Sequence, residues 1–408
     1  MLILLKLAWR NVLRNKRRNF LAGIAIGIGL AALIFTDAMM IGMHQNMVAS
    51  VTDTFLGHGQ IHREGFRKTY EVEKTINNGM ELAKKLEADP NMQGVSPRVL
   101  TFGMMTSPAN ASSIMMYGVD PEREKLVSKL ADAITAGVYL APNDTNKVLI
   151  GTQLAKTLEV EVGDRIVITV AQADTGELSQ EMFRIGGIFT FGVREMDGQM
   201  AFVPLGSAQR MLTIGNRLHE IAFHFKDLHI ANNAEDPFWA AYNDNGNETQ
   251  PWKELVPGMK AVLEMTEYSS FIVAGILFMV VALGILNTLF MSLYERMFEF
   301  GVLRAIGTRP FRMALIILFE AGLLGMLSVI IGVSMGFALT YIFSIVGIDY
   351  TGIEFAGMTF QKAIYTVFDI KQYLTFPLSL LVFTMLIGIY PAVYAARLTP
   401  AKAMRRSF

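Results

Sequence analysis

Tyr294-Glu-Arg-Met-Phe-Glu-Phe-Gly-Val-Leu-Arg-Ala-Ile-Gly-Thr-Arg-Pro-Phe-Arg312 is a charged interlude between two long apolar runs. Its four arginines, Arg296, Arg304, Arg309 and Arg312, place it on the cytoplasmic side of a membrane, where short loops rich in Lys and Arg are retained. It also reads as a short helix. Glu295, Arg296 and Glu299 open it, Val302, Leu303 and Ile306 form one apolar stripe, and Gly307 stops it. A simple return loop needs neither order nor a stripe. The segment is therefore expected to be gripped by a cytoplasmic partner.

Outward from this stretch, four apolar runs meet the roughly 20 residues that a bilayer span requires. They lie at about 20–43, 269–293, 313–346 and 373–395. The third is longer than necessary, which predicts tilt or an extension past the membrane. Lys6, Arg10, Arg14, Lys16, Arg17 and Arg18 precede the first run, and Arg397, Lys402, Arg405 and Arg406 follow the fourth. With segment 294–312 these clusters share one side, so both termini are expected in the cytoplasm, including the tail 396–408. Residues 44–268 and the loop 347–372 then face outward. No small-residue cleavage site clearly follows the first run, which reads as a retained anchor. Residues 1–19 read as an interfacial helix, with Leu2, Leu5, Trp9, Val12 and Leu13 on one face and Lys6, Arg10, Arg14 and Arg17 beside it. The plainer reading is a basic segment that only sets orientation.

The chain of 408 residues is 52% hydrophobic and 18% charged, with zero net charge. That zero hides an asymmetry. Between His44 and Glu267 lie 29 acidic and 20 basic residues, and the rest of the chain holds 7 and 16. No basic domain exists to neutralise phosphates, which argues against nucleic acid as a partner. The outward region reads as α+β. Strands are expected at 59–62, 95–101, 113–118, 147–151, 165–170, 183–191, 200–204 and 221–225. Helices are expected at 79–88, 122–136, 152–158 and 252–266. The strands are densest at about 103–205, which suggests a subdomain inserted into an outer α/β layer made from both flanks.

Catalytic chemistry is not visible. The chain has no G-x-x-x-x-G-K-[ST], no H-E-x-x-H and no G-x-S-x-G. It has no cysteine, hence no disulfide and no thiolate metal site. His58 and His62 are four apart, but Gly59 argues against a helix there, and a surface pair is expected rather than a metal site. Glu320 lies two turns inside the third run, where a charge is costly unless it is paired or near water. It is expected to contact another helix or a polar cavity, moving with the coupling segment, or else to form a structural pair. Asp37 lies near the outer end of the first run, where water is close. Gly23 with Gly27 and Gly332 with Gly336 are small-xxx-small spacings that let helices approach, as at a dimer seam. Met39, Met40, Met43 and Met47 cluster where the first run leaves the membrane. They suit an adaptable surface for an acyl chain or lipid, or are ordinary lipid-facing side chains.

One span, a large outer domain, then three spans around a charged cytoplasmic loop is a distinctive order. It resembles the FtsX/MacB-like permeases of type VII ABC transporters over nearly the whole length. Leu7-Ala-Trp-Arg-Asn11 with Arg14-Asn-Lys-Arg-Arg18 is similar to that family's opening. Glu295-Arg296…Glu299-Phe-Gly-Val-Leu-Arg-Ala-Ile-Gly307 is similar to its coupling-helix signature. Tyr390-Pro-Ala-Val-Tyr-Ala-Ala-Arg397 with Pro400-Ala…Ala403 is similar to its exit. Gly57-His-Gly-Gln-Ile-His62 and Gly118-Val-Asp-Pro121 look more like the LolC/LolE-like lipoprotein-release branch than the macrolide exporters.

The resemblance implies porter and sabre subdomains, and two copies of a separate ATPase that bind ATP and Mg. This chain would bind no cofactor itself. Docking would fall on Glu295, Arg296, Glu299, Gly301, Val302, Leu303, Arg304, Ala305, Ile306 and Gly307. A second permease chain, identical or not, would complete the complex in a bacterial inner membrane, with the large domain periplasmic. The implied cargo is a lipoprotein drawn from the outer leaflet and passed to a periplasmic carrier, with Phe191-Gly-Val-Arg-Glu-Met-Asp-Gly198 as the position for a carrier hook or, alternatively, a plain hairpin turn. Two alternatives stand beside it. One is efflux of a drug or peptide with an adaptor and outer-membrane channel. The other is FtsX-like activation of an extracytoplasmic hydrolase without transport.

Overall fold

The computed structural model describes residues 2–233, 235–352, 354–355, 358–359 and 363–397. Lys402, Arg405, Arg406 and the Pro400–Ala403 motif lie outside them. Among the described residues, four helices are long and apolar enough to cross a membrane: Lys16–Leu56, Lys260–Glu295, Pro310–Val346 and Gln372–Ala396. They are spans 1 to 4 below. The first outruns its apolar stretch. It is unbroken from Lys16 to Val51 and closes in a π-turn, Thr52–Leu56. Its 36 helical residues make about 54 Å, against a hydrocarbon core of about 30 Å. The helix stops only at Gly57, whose φ of 81° a side chain would resist. Span 2 is part of a helix that starts at Pro257 and ends at Glu295. Span 3 starts at Pro310, where a missing N–H is not needed, and ends at Gly347.

The chain divides into a membrane unit, residues 1–45, 264–349 and 363–408, and an α/β domain, residues 46–263 with 350–362. Small residues set the packing of the membrane unit. A Cβ on Gly27 would lie 2.9 Å from the Ile331 side chain, and one on Gly332 would lie 2.8 Å from the Gly27 carbonyl oxygen. Gly23 meets Leu327, and Gly336 meets Ile34. The two glycine pairs thus face each other within one chain. The seam they form joins span 1 to span 3, which corrects the dimer seam expected from spacing alone. Ile26, Leu30 and Ile34 of span 1 fill the core with Val281, Ile285 and Leu289 of span 2 and with Ala321, Leu324 and Leu380. Span 2 is covered least: Phe271, Ile272, Met279, Val280 and Leu283 are exposed.

The α/β domain is organised on one ten-stranded sheet. Its strands are β1 (Gly59–Arg63), β2 (Met92–Thr106), β3 (Ala111–Val119), β4 (Ile134–Gly137), β5 (Lys147–Gly151), β6 (Arg165–Ala171), β7 (Leu178–Phe189), β8 (Met200–Pro204), β9 (Glu220–Phe225) and β10 (Asn247–Pro251). The order is β10-β1-β9-β2-β3-β8-β5-β7-β4, and β6 pairs with both β2 and β7. The path β2-β3-β8-β5-β7-β6 therefore returns to β2, so six strands close on themselves. Closure removes the free edges that β6 and the distal half of β2 would otherwise expose. Ile166, Ile168 and Val170 from β6 meet Val148, Ile150, Phe183 and Ile185 in the core.

The single long strand β2 spans the boundary expected near residue 103. Its first half pairs with β9 through Arg98, and its last residues pair with β6. The flanking layer and the inserted strands thus share one strand. Residues 122–136 do not form the expected helix. Pro121–Glu124 makes one turn, capped by Asp120, and β4 begins at Ile134. The reason is tertiary, because Glu124 is held by Arg98 inside the domain. Strand β10, rich in Asn, Gln and Thr, has no alternating apolar signature; its pairing with β1 creates it.

Candidate functional site

Segment 294–312 folds into a helix with two different faces. Span 2 ends at Glu295, and Arg296 leaves helical geometry at φ −109°, ψ 16°. A new helix, Met297–Ala305, follows and ends at Gly307, whose φ is +94°. Thr308 N–H closes the end by donating to the Leu303 carbonyl at 2.9 Å. Met297, Phe300 and Gly301 are buried. Phe300 packs with Leu293, Met313, Ile317, Ala392 and Ala395, and Leu303 lies half-buried against the same group. Phe298, Val302 and Ile306 are exposed, Ile306 by 74%. Their i, i+4, i+8 spacing makes one outward stripe. The expected stripe of Val302, Leu303 and Ile306 is thereby corrected: Leu303 faces inward, and Phe298, missed in the sequence, takes its place. Ala305 and Gly307 are exposed, while Arg304 is half-buried and donates to the Thr308 carbonyl.

Glu295, Arg296 and Glu299 are committed to other parts of the membrane unit. Arg296 Nη1 donates to Glu320 Oε1 at 2.6 Å, and its Nε donates to Glu299 Oε2 at 3.2 Å. Arg296 and Glu320 are each 6% exposed, so this is a buried ion pair. Asn11 Nδ2 of the N-terminal helix, Leu2–Arg14, donates to the same Glu320 oxygen at 2.7 Å. Arg14 Nη1 donates to Glu299 Oε1 at 2.8 Å. Glu295 accepts from Asn15 at 3.1 Å and pairs with Arg18. Partial burial alone would raise the Glu299 carboxyl, but hydrogen bonds from Arg14 and Arg296 outweigh it and hold it below the ordinary range. Beside Glu320 lies a cavity of about 20 Å³ lined by Asn11, Asn19, Thr288 and Ser292. It is polar, and one water fits it.

In the α/β domain a second charged group is buried. Arg98 bonds Glu124 through Nε and Nη2 at 2.9 and 2.6 Å, and Glu220 through Nη1 at 2.6 Å. Its Nη2 also donates to the Phe55 carbonyl at 2.7 Å, and the guanidinium lies 3.9 Å from the Phe55 ring centre. The end of the first long helix is thus fastened to the sheet by one arginine.

His58 and His62 are not a surface pair; both are buried, at 6% and 1% exposure. His62 sits between Gln60 and the His219 carbonyl. His58 stacks on His224 with ring centres 4.1 Å apart, and Asp53 joins them. Among the described residues this trio has the composition of a metal centre, but its bonding does not suit a cation. Phe225 N–H donates to His58 Nδ1 at 3.0 Å, so a neutral His58 carries its proton on Nε2 and keeps no lone pair for a metal. His224 Nε2 reaches the Thr52 carbonyl, and Asp53 is paired with Lys129 at 2.9 Å.

The methionines at 39, 40 and 43 are half-buried along span 1, and Met47 is buried at 1% exposure. Asp37 is half-buried on the same helix. Phe191–Gly198 does not form a plain hairpin turn. Residues Arg194–Gln199 are helical, and Asp197 turns inward to accept from Phe191 and Gly192 N–H groups. The hairpin of this region is β6–β7 instead, closed by the loop 172–177.

In sequence, spans on both sides of a strand-rich domain, with a helix held between spans 2 and 3, are the architecture of a membrane permease. The MacB-like periplasmic core domain matches residues 20–236, and the FtsX-like permease C-terminal domain matches residues 271–400. The chain belongs to this family of ABC transporter permeases. It is 24% identical to the lipoprotein-releasing system transmembrane protein LolC of Xylella fastidiosa, over 96% of each chain. It is 23% identical to LolE of Haemophilus influenzae, over 98% of each. It is 22% identical to the macrolide export ATP-binding/permease protein MacB of Campylobacter jejuni, over 98% of this chain and 61% of that one.

Proposed function

We propose that the chain is the permease subunit of an ATP-driven complex that releases lipoproteins from the outer leaflet of a bacterial inner membrane. The observation that carries this reading is the helix Met297–Ala305. Its inner face is packed and ion-paired, while Phe298, Val302 and Ile306 stand free of the chain. A soluble ATPase has there a short apolar ridge on a rigid support. The basic clusters around the spans favour a cytoplasmic position for that ridge and a periplasmic one for the α/β domain. The 408 residues hold no Walker A sequence, which favours a separate ATPase with its ATP and Mg. The exposed face of span 2 and the half-buried Met39, Met40 and Met43 of span 1 suit lipid, an acyl chain or a second permease chain, whereas Met47 is buried and offers no such surface.

Lipoproteins are preferred as cargo because the LolC and LolE relatives, matched at 24% and 23% identity, are proteins of lipoprotein-releasing systems. The test is co-purification from native membranes. The wild-type chain should bring down an ABC ATPase and a lipidated protein. Val302→Asp and Ile306→Asp should lose the ATPase at least tenfold while the permease remains inserted, since a charge at an apolar contact costs about 2–4 kcal/mol. Undiminished ATPase recovery with both variants would refute the docking ridge. Recovery of an adaptor and channel without lipoprotein would refute the cargo.

A further inference from the structure

The N-terminal helix is bound to the docking segment through side chains from four elements. Glu320 of span 3 takes both Asn11 and Arg296 on one carboxylate oxygen, Oε1. Arg296 continues to Glu299, which takes Arg14. Glu295, at the end of span 2, takes Asn15 and Arg18 at the corner where the N-terminal helix ends and span 1 begins. Apart from Arg296–Glu299, an i, i+3 pair, the links join residues 24 to 309 positions apart in sequence and do not follow from local helix geometry. The links differ in kind. The Arg296–Glu320 pair is buried, where losing one partner strands the other charge in a dry site. The Arg14–Glu299 pair is exposed and adds little stability by itself. An exposed pair continued into a buried node is a mechanical tie more than a source of stability.

We propose that Arg296 and Glu320 are positioning residues that make the docking helix and the corner Asn11–Arg18 one rigid body. A push on the docking helix then reaches span 1 directly through this corner. The alternative route, back along span 2, would leave the corner behind. The N-terminal helix becomes a transmission element and not merely a basic segment that sets orientation. This inference rests on the docking of an ATPase proposed above.

The chain has no native cysteine, so two spin labels can be placed uniquely. Arg17→Cys and Arg309→Cys put labels on the corner and beyond the docking helix, both at exposed positions. Pulsed electron resonance on the full complex, with singly labelled chains identifying any interchain distance, reads their separation without nucleotide and with trapped ATP. The expected result is one narrow intrachain distance, the same in both states. Glu320→Gln should broaden it. Should that variant fail to fold, Arg14→Glu gives the same reading at an exposed site. A shift of several ångström on ATP trapping in the otherwise wild-type chain, or a narrow distance unmoved by both single variants, overturns the proposal. If no ATPase co-purifies, the docking reading itself fails. If it does and the distance shifts, docking stands and the rigid tie alone is refuted.

Discussion

Arg98 and Arg296 show how one guanidinium can hold a structure together when its partners are remote. Arg98 is fully buried and satisfies two carboxylates and a carbonyl at once. Arg98→Met would leave Glu124 and Glu220 buried without their cation, which costs about 3–5 kcal/mol. Thermal melting followed by tryptophan fluorescence should show a large loss, since Trp239 and Trp252 lie inside this domain. Conservative retention of the melting temperature would mean that the cluster contributes only packing. The buried histidines make a second prediction at this scale. Burial, with repulsion from His224, lowers His58 to about 4, and burial lowers His219 to about 4 despite its bond to the Val72 carbonyl. Below an unfolded value near 6.5 the unfolded chain takes up protons first. Stability is therefore complete above pH 6.5 and falls as pH drops toward 4, by on the order of 3 kcal/mol per histidine. Melting at pH 7 and pH 5 reads this slope, and His58→Asn should flatten part of it. A melting temperature that rises on acidification would contradict the assignment. Glu320 was legible in the sequence as a charge in need of a partner, because hydrocarbon makes an unpaired carboxylate expensive wherever it occurs. Arg98 was not, because its carboxylate partners lie 26 and 122 residues away and nothing local marks it.

At the scale of elements, the spans and the helix Met297–Ala305 were visible as runs of composition and a glycine stop. Which face of each helix points where was not. The apolar residues of 297–306 lie all around the helix, so spacing alone allowed Leu303 to share a stripe with Val302. Only Met313, Ile317 and Ala392 of the neighbouring spans decide that Phe300 and Leu303 turn inward. The glycine pairs have the same character. Their spacing announces close approach, but not to what. Since Gly332 lies against the Gly27 backbone, Gly332→Leu should lower the melting temperature of the detergent-solubilised chain substantially, as overpacking costs about 1–3 kcal/mol or more. Gly284→Leu on span 2 meets nothing within 4 Å and should leave it unchanged. Equal effects at the two positions would mean that the span 1–span 3 seam is not what these glycines serve. Residues 122–136 carry a helical pattern that the domain overrides by drawing Glu124 into its interior.

For the molecule as a whole, a membrane unit built from three separated stretches of chain and an α/β domain inserted after span 1 follow from where the apolar runs fall. The closed path of six strands and its extension through β9, β1 and β10 do not. The sequence by itself determined the four spans, the sign of charge at their ends and the ordered segment 294–312. A bilayer is a uniform solvent, and it imposes length, apolarity and charge bias residue by residue along the chain. Tertiary structure alone decided that Asn11, Arg14 and Arg18 meet Glu320, Glu299 and Glu295, that β2 is shared by both halves of the domain, and that Phe298, Val302 and Ile306 remain uncovered. Those outcomes depend on contacts between residues hundreds of positions apart, where no local pattern in the chain records which charge will find which partner.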